Sequence, residues 1–308
     1  MRLTALAGGV GAAKLLSGVI KVMPAEDLTV VVNTGDDFCW MGLYICPDLD
    51  TITYTLAGLD NPMTGWGIRD ESFRCLERLG ELGGDTWFKL GDRDLATHLY
   101  RTHCLQNGKT LTEATAAICR QNGITARILP MTDFPVPTMV HTEEGTLAFQ
   151  DYYVRRKCAP LVDGFSFQGI EASSPAQGVL DAIQSADAVV VCPSNPYISI
   201  GPILAVPGIR EALSATPATI AAVSPIVAGD ALKGPAAAMM RQLGHEVSAV
   251  SVARLYRDFL DIFMLDRRDE NLCEQIAALG LEVHAVETVM DSTASKVALA
   301  KSLLEVLP

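Results

Sequence analysis

Leu3-Thr4-Ala5-Leu6-Ala7-Gly8-Gly9-Val10-Gly11-Ala12-Ala13-Lys14-Leu15-Leu16 carries the reading of the fold. Leu3 to Ala7 is a short, mostly apolar run with the look of a buried strand, three glycines break it, and an alanine- and leucine-rich segment continues as a helix. A second strand is expected from Leu28 to Asn33, where valines crowd together before Thr34-Gly35-Asp36-Asp37 opens a loop. Strand, glycine turn, helix and strand in that order predict a parallel sheet flanked by helices, a Rossmann-like α/β fold. Ligands in such folds gather outside the carboxyl ends of the strands. Asp36 and Asp37 should therefore lie near the Gly8 loop.

Further along the chain the pattern turns helical from about 51 to 125, with Glu71 to Glu77 and Leu95 to Leu99 its clearest pieces. Short strands are expected at Ala126–Pro130, Thr138–His141 and Thr146–Tyr153, with Glu143-Glu144-Gly145 turning a hairpin. The parallel pattern returns at Ala188–Cys192 and Thr219–Val223. Two more strands are expected at Val247–Val252 and Ile262–Leu265, then a closing helix from near Ser292 through Lys301. The expectation is one domain, 1–308. Its core spans about 1–50 and 170–308, with a helical insertion at about 51–125 and a hairpin region at about 126–168.

Composition excludes several classes. A formal net charge of −12 on 308 residues leaves no concentrated cationic face for nucleic acid, because counterion release requires clustered lysines and arginines. Charged residues, glycine or proline interrupt every apolar run before it reaches the roughly 20 residues of a membrane span. The run Leu3–Ala7 is too short for a secretory signal, so a cytoplasmic location is expected. Eight cysteines lie scattered without a Cys-x-x-Cys pair and read as reduced, mostly apolar-site thiols. Nor do the five histidines make a zinc spacing.

The chemistry lies in the turns. Gly8-Gly9-Val10-Gly11 lets backbone approach a ligand and aims a helix N-terminus at a phosphate, although a tight strand-to-helix turn alone would look the same. It is not a Walker A loop: Lys14 follows alanine, and no Ser or Thr comes after it to hold a metal. Lys14 reads equally as a phosphate ligand or a solvated helix residue. Asp36, Asp37, Asp48 and Asp50 offer oxygen ligands suited to Mg²⁺ at strand ends, while Asp48 and Asp50 could instead cap a helix beginning near Thr51. Lys89-Leu90-Gly91-Asp92-Arg93-Asp94 is either a surface turn of self-neutralising pairs or a place to hold an anionic acceptor. Cys192-Pro193-Ser194-Asn195-Pro196 ends a strand, and Asn195 carries the donor and acceptor needed to read a purine edge. No Gly-x-Ser-x-Gly elbow supports a covalent mechanism. The glycines also lack the Gly-x-Gly-x-x-Gly spacing of an NAD site.

Taken in order and spacing, Gly8–Gly11, Asn33-Thr34-Gly35-Asp36-Asp37, Pro47-Asp48-Leu49-Asp50-Thr51, Gly65-Trp66-Gly67-Ile68, Leu90 to His98, Pro193-Ser194-Asn195-Pro196 and Ser224-Pro225-Ile226 resemble the 2-phospho-L-lactate transferase family along essentially the whole chain. The resemblance implies transfer of a phospholactyl or phosphoenolpyruvyl group from a guanosine diphosphate adduct to the deazaflavin Fo, in coenzyme F420 biosynthesis. Mg²⁺ is the implied cofactor and a homodimer the implied assembly. By the same resemblance, Asp50 and Lys89 contact Fo, with Asp50 also the catalytic carboxylate. Gly8, Gly9, Gly11, Lys14, Ser194, Asn195 and Pro196 form the nucleotide site, and Asp36 is assigned with Asp50 to the metal. Ala12-Ala13 departs from the glycine or proline that relatives often show there. The alternative is a nucleotide-sugar-binding regulatory protein of related fold, which needs no deazaflavin pocket.

Overall fold

The valine- and alanine-rich runs pair as one seven-stranded parallel sheet in the computed structural model, which describes residues 1–308. Its strands are β1 (Leu3–Ala7), β2 (Leu28–Val32), β3 (Arg127–Pro130), β4 (Ala188–Val191), β5 (Thr219–Val223), β6 (Ile262–Asp266) and β7 (Glu282–Val286). They lie side by side in the order β7-β6-β5-β4-β1-β2-β3. Leu3 of β1 faces Leu28 of β2 on one side and Ala188 of β4 on the other. Read from β3, the order is 3-2-1-4-5-6 with one strand added, so the direction of winding reverses between β1 and β4.

Parallel strands covered on both faces read as continuous apolar runs rather than alternating ones, and every residue of β1 is buried. Leu6, Val31, Val189, Val191 and Phe263 enter one core, while Leu3, Ala5, Val30, Val190 and Met264 enter the other. Each fully buried Leu or Val contributes roughly 1.5–3 kcal/mol over exposure, which makes the sheet the rigid base for its loops. Helices α1 (Gly9–Val19) and α2 (Pro47–Leu56) cover the second core with the C-terminal helix Thr293–Val306. The insertion adds α3 (Arg74–Glu81), α4 (Asp92–Gln106) and α5 (Leu111–Gln121). A capping box between Thr110 and Glu113 starts α5.

Four expectations are corrected. Val247–Val252 is not a strand: Ser248 caps a helix over Ala249–Tyr256, and Ala249, Val252, Ala253 and Tyr256 bury one helical face. The strand expected from Thr146 stops at Ala148, and Asp151–Arg155 winds into a π-helical turn. Residues 127–130 pair with β2 in the main sheet, so the antiparallel sheet of the hairpin region begins only at Thr138. Helix α2 begins at Pro47 instead of Thr51, because proline suits the first helical position. Among the elements that had no expectation are the edge strand β7 and a small hairpin pairing Phe38–Trp40 with Leu43–Ile45. All eight thiols are free; four are buried, but Cys39 and Cys75 are exposed. No single helix is long and apolar enough to cross a membrane.

Candidate active site

Three loops meet above the β1/β4 switch point, and their glycines are what let them meet. A Cβ on Gly11 would run into the Pro193 carbonyl, and one on Gly8 would fall 2.6 Å from Asp48 Oδ2 and 2.7 Å from Ser199 Cβ. Ser194 Oγ donates to the Gly8 carbonyl (2.8 Å) and accepts from the Gly8 N–H (3.2 Å), locking the β1 and β4 loops together. No side chain caps α1 across Gly8. Its first turn therefore presents backbone N–H groups and the positive end of the helix dipole to whatever enters, apart from the Gly9 N–H, which bonds Asp48.

Asn195 is less free than its sequence promises. Its Oδ1 accepts from the N–H groups of Tyr197 (3.0 Å) and Ile198 (3.4 Å), capping the π-helical turn Pro196–Ile200. With that acceptor committed and Nδ2 donating to Met239 Sδ (3.6 Å), at most one amide N–H remains for a ligand, so it cannot read a purine edge with both functions. Pro196 is buried as the first residue of that turn and does not line the cavity.

Asn33, just beyond β2, organises the acids. Its Oδ1 accepts from the Gly35 N–H (2.8 Å), which turns the chain back so that Nδ2 faces Asp36 Oδ1 (3.1 Å) and Asp48 Oδ2 (2.9 Å) together. Both carboxylates are buried. Burial, and then the charge of Asp48, pushes the Asp36 carboxyl well above the usual range. Burial pushes Asp48 up to about 6, against the hydrogen bonds of Asn33 and Gly9. Asp37 is raised by burial too, and its oxygens have no hydrogen-bond partner beyond the weak Cys46 thiol. Buried, under-neutralised oxygens of this kind fit a divalent cation that takes oxygen ligands.

Asp50 has a different partner from the one expected. Helix α4 places Asp94, His98 and Arg101 on one face, and the Arg101 guanidinium takes both oxygens of Asp50 as a buried bidentate pair. His98 Nδ1 lies 3.1 Å from Arg101 Nη1, and its Nε2 lies 3.2 Å from Asp94 Oδ1, off the hydrogen-bond direction. Tyr54 on α2 donates to the same Asp94 oxygen (2.5 Å). Arginine only donates, so in this contact His98 Nδ1 is the acceptor. Burial opposes ionisation of Asp94, but His98 and Tyr54 hold its carboxyl below the usual range. Asp50, Asp94 and His98 are close enough to ligate one ion. Arg101 already fills the cationic role there, whereas Asp36 shares its donor with Asp48. Asp36 thus sits beside Asp48 across Asn33, while Asp50, expected with Asp36 at the metal, is paired with the Arg101 guanidinium.

Most of these groups face one cavity of about 840 Å³; Asn33, Asp37 and Arg101 lie outside its lining. Gly8, Gly9, Gly11, Lys14, Asp36, Asp50, Lys89, Ser194 and Asn195 all line it. So do residues that the sequence reading passed over. Trp87, Phe88, Phe149 and Tyr153 add an aromatic wall, joined by Trp66 of the Gly65–Ile68 motif quoted above. Phe149 stacks on Tyr153 at 5.4 Å, and Arg155 lies over Trp87. The i, i+4, i+7 spacing of Asp94, His98 and Arg101 was the available signal for the α4 network. Apart from Trp66, the aromatics had none, since they come from separate loops.

The model of the family described as 2-phospho-L-lactate transferase CofD matches residues 3–303. The chain is 43% identical over 288 residues to a 2-phospho-L-lactate transferase of Methanosarcina acetivorans, covering 94% of this chain and 93% of that one. It is 42% identical over 311 residues to a phosphoenolpyruvate transferase of Streptomyces griseus, covering 99% and 98%. Among solved structures, a Bacillus halodurans protein of the UPF0052 family superposes with a TM-score of 0.64 over 98% of both chains. At 16% identity that likeness is one of fold.

Proposed function

Because this chain belongs to the 2-phospho-L-lactate transferase family, we propose that it transfers a phospholactyl or phosphoenolpyruvyl group from the guanosine diphosphate adduct to the ribityl hydroxyl of Fo, a step in making coenzyme F420. In this reading the hydroxyl oxygen attacks the phosphorus bearing the three-carbon acid. The bond from that phosphorus to the GMP oxygen breaks, and the hydroxyl proton passes to a base. Such transfers depend on positioning and on stabilising charge, with attacking and leaving oxygens in line.

The observation that carries the reading is the shared cavity. An uncapped helix N-terminus, a buried carboxylate pair and a set of aromatic rings all line one space of about 840 Å³. That volume is toward the upper end of roughly 300–1,000 Å³ for small-molecule sites, which suits two substrates meeting better than one alone. The phosphates of the donor fit the first turn of α1. A flat tricyclic acceptor fits the rings, with Lys89 beside them. Mg²⁺ would be held by Asp36 and Asp48 and would supply neutralisation of diphosphate charge. Asp50, fixed on Arg101, would orient the acceptor hydroxyl and take its proton. The Arg101 pair aims that carboxylate, and His98, in contact with Arg101, and Asp94 lie beside it on the cavity wall.

Fo is fluorescent, so titrating it into the protein tests the acceptor site. Saturable quenching is expected, weakened at least tenfold when Trp87 is replaced by alanine, on the scale of about 1–3 kcal/mol for a ring stacked on an aromatic side chain. A nucleotide-binding protein without turnover would leave the Fo signal flat, and that result would remove the acceptor assignment.

A further inference from the structure

In a chain of net charge −12, four lysines, Lys14, Lys89, Lys157 and Lys233, line the cavity with no salt-bridge partner, and two of them reach across to backbone carbonyls. Lys14 Nζ donates to the Met290 carbonyl (2.8 Å), and Lys233 Nζ donates to the Thr64 carbonyl at a long 3.4 Å. Each ammonium therefore spends one donor on neutral backbone and keeps others for a ligand. The two are close enough to interact: burial, then the charges of Lys233 and Lys296, lower the Lys14 pKa.

The placement of Lys233 is built, not incidental. A hairpin pairing Ile226–Val227 with Asp230–Ala231 carries it to the cavity mouth. Both turn residues are left-handed, Ala228 at φ 50° and Gly229 at φ 74°, and alanine takes that conformation only at an energetic cost. The Ala228 N–H donates to buried Asp269 Oδ2 (2.8 Å), which holds the turn in place. On the other side, a Cβ on Gly65 would lie 3.6 Å from Lys233 Nζ and 2.8 Å from Val10 Cγ1. The ammonium thus hangs over the first turn of α1, where the uncapped N–H groups point.

We propose that Lys233, acting with Lys14, forms a subsite for the distal oxyanion of the donor, a phosphate or carboxylate oxygen, and that Lys233 gives up the Thr64 carbonyl to bind it. The inference rests on the proposed guanosine diphosphate adduct and adds a contact to it from the Lys233 hairpin. A neutral carbonyl at 3.4 Å is a weak partner, and a charged oxygen is a strong one, so the exchange favours the bound state.

Calorimetric titration of GMP, GDP and the full adduct into the wild type, Lys233→Ala and Lys233→Arg tests it. Lys233 is exposed on a loop, so its removal leaves the core intact. Lys233→Ala should bind GDP roughly tenfold more weakly, GMP almost unchanged, and Lys233→Arg should keep most of the affinity. A loss seen only with the adduct also upholds the subsite and assigns the oxyanion to the carboxylate of the three-carbon acid. Equal affinities of the wild type and Lys233→Ala for both GDP and the adduct overturn it. A wild type that binds no GDP overturns the donor reading beneath it, so the two failures are distinguishable.

Discussion

Asp48 and Asp50 stand two positions apart in the first turn of one helix, yet their surroundings give them different work. Asp48 accepts only neutral N–H groups, from the Asn33 amide it shares with Asp36 and from Gly9, and is pushed up to about 6 by burial, so its charge lacks a counterion. Asp50 has its counterion in Arg101, which is 1% exposed and whose charge Asp50 keeps in place despite burial. Substituting each by asparagine should separate the roles. Asp48→Asn should raise the Mg²⁺ concentration needed for half-maximal turnover at least tenfold. Asp50→Asn should slow turnover greatly even at saturating Mg²⁺ and destabilise the fold by about 3–5 kcal/mol in denaturant titration, because a buried guanidinium loses its partner. An unchanged rate at saturating Mg²⁺ would take Asp50 out of the reaction. The sequence named both acids but could not tell their partners apart, since Arg101 comes from a helix 51 positions away. Asn195 was likewise visible as a polar turn residue, and only its geometry showed that Oδ1 already serves the backbone.

Between elements, the loop after β7 holds Lys14 through the Met290 carbonyl, and Asp266 at the end of β6 holds that loop. Its carboxylate accepts from the N–H (3.0 Å) and hydroxyl (2.9 Å) of Thr288, and from the N–H (3.1 Å) and Nε (2.8 Å) of Arg268. Burial raises its pKa, but these donors outweigh burial and hold it below the ordinary value. A folded pKa below the unfolded one stabilises the protein above the unfolded value, and that gain fades as pH falls through the folded one. Asp266→Asn should therefore cost about 2–3 kcal/mol at pH 7, with the gap from the wild type closing below about pH 4. Equal gaps at pH 7 and pH 3 in urea titrations would contradict the account. The elements with strong internal signals, β1, β2, β4 and β5, were legible as buried apolar runs. Ala249–Tyr256 was misread because its apolar residues satisfy a short strand window as well as a helix, and only the Ser248 cap decides between them. Strand β7 carries Glu282 and His284 at a half-exposed sheet edge, where the pairing with β6 supplies what local sequence does not.

Across the whole molecule, the strand order puts the reversal of winding between β1 and β4, and the Gly8 and Ser194 loops leave the sheet at that point. Insertion and hairpin region then wall the crevice, the first with Trp87, Lys89 and His98, the second with Phe149 and Tyr153. An acidic chain can hold an anionic donor there because local fields decide: an open helix end, Lys14 and Lys233 act within a few ångströms, whereas distant surface acids are screened beyond about 8 Å at physiological salt. The parallel sheet and the glycine loop could be read from the first 40 residues. The aromatic wall could not, because it exists only once loops far apart in sequence have packed together. Incubating the protein with Fo, Mg²⁺ and each guanosine adduct in turn, then weighing the deazaflavin by mass spectrometry, tests the central claim most directly. With at least one adduct, the account predicts Fo heavier by one phosphorylated three-carbon acid and GMP released in equal amount. Fo of unchanged mass with every adduct, and no GMP, would contradict it.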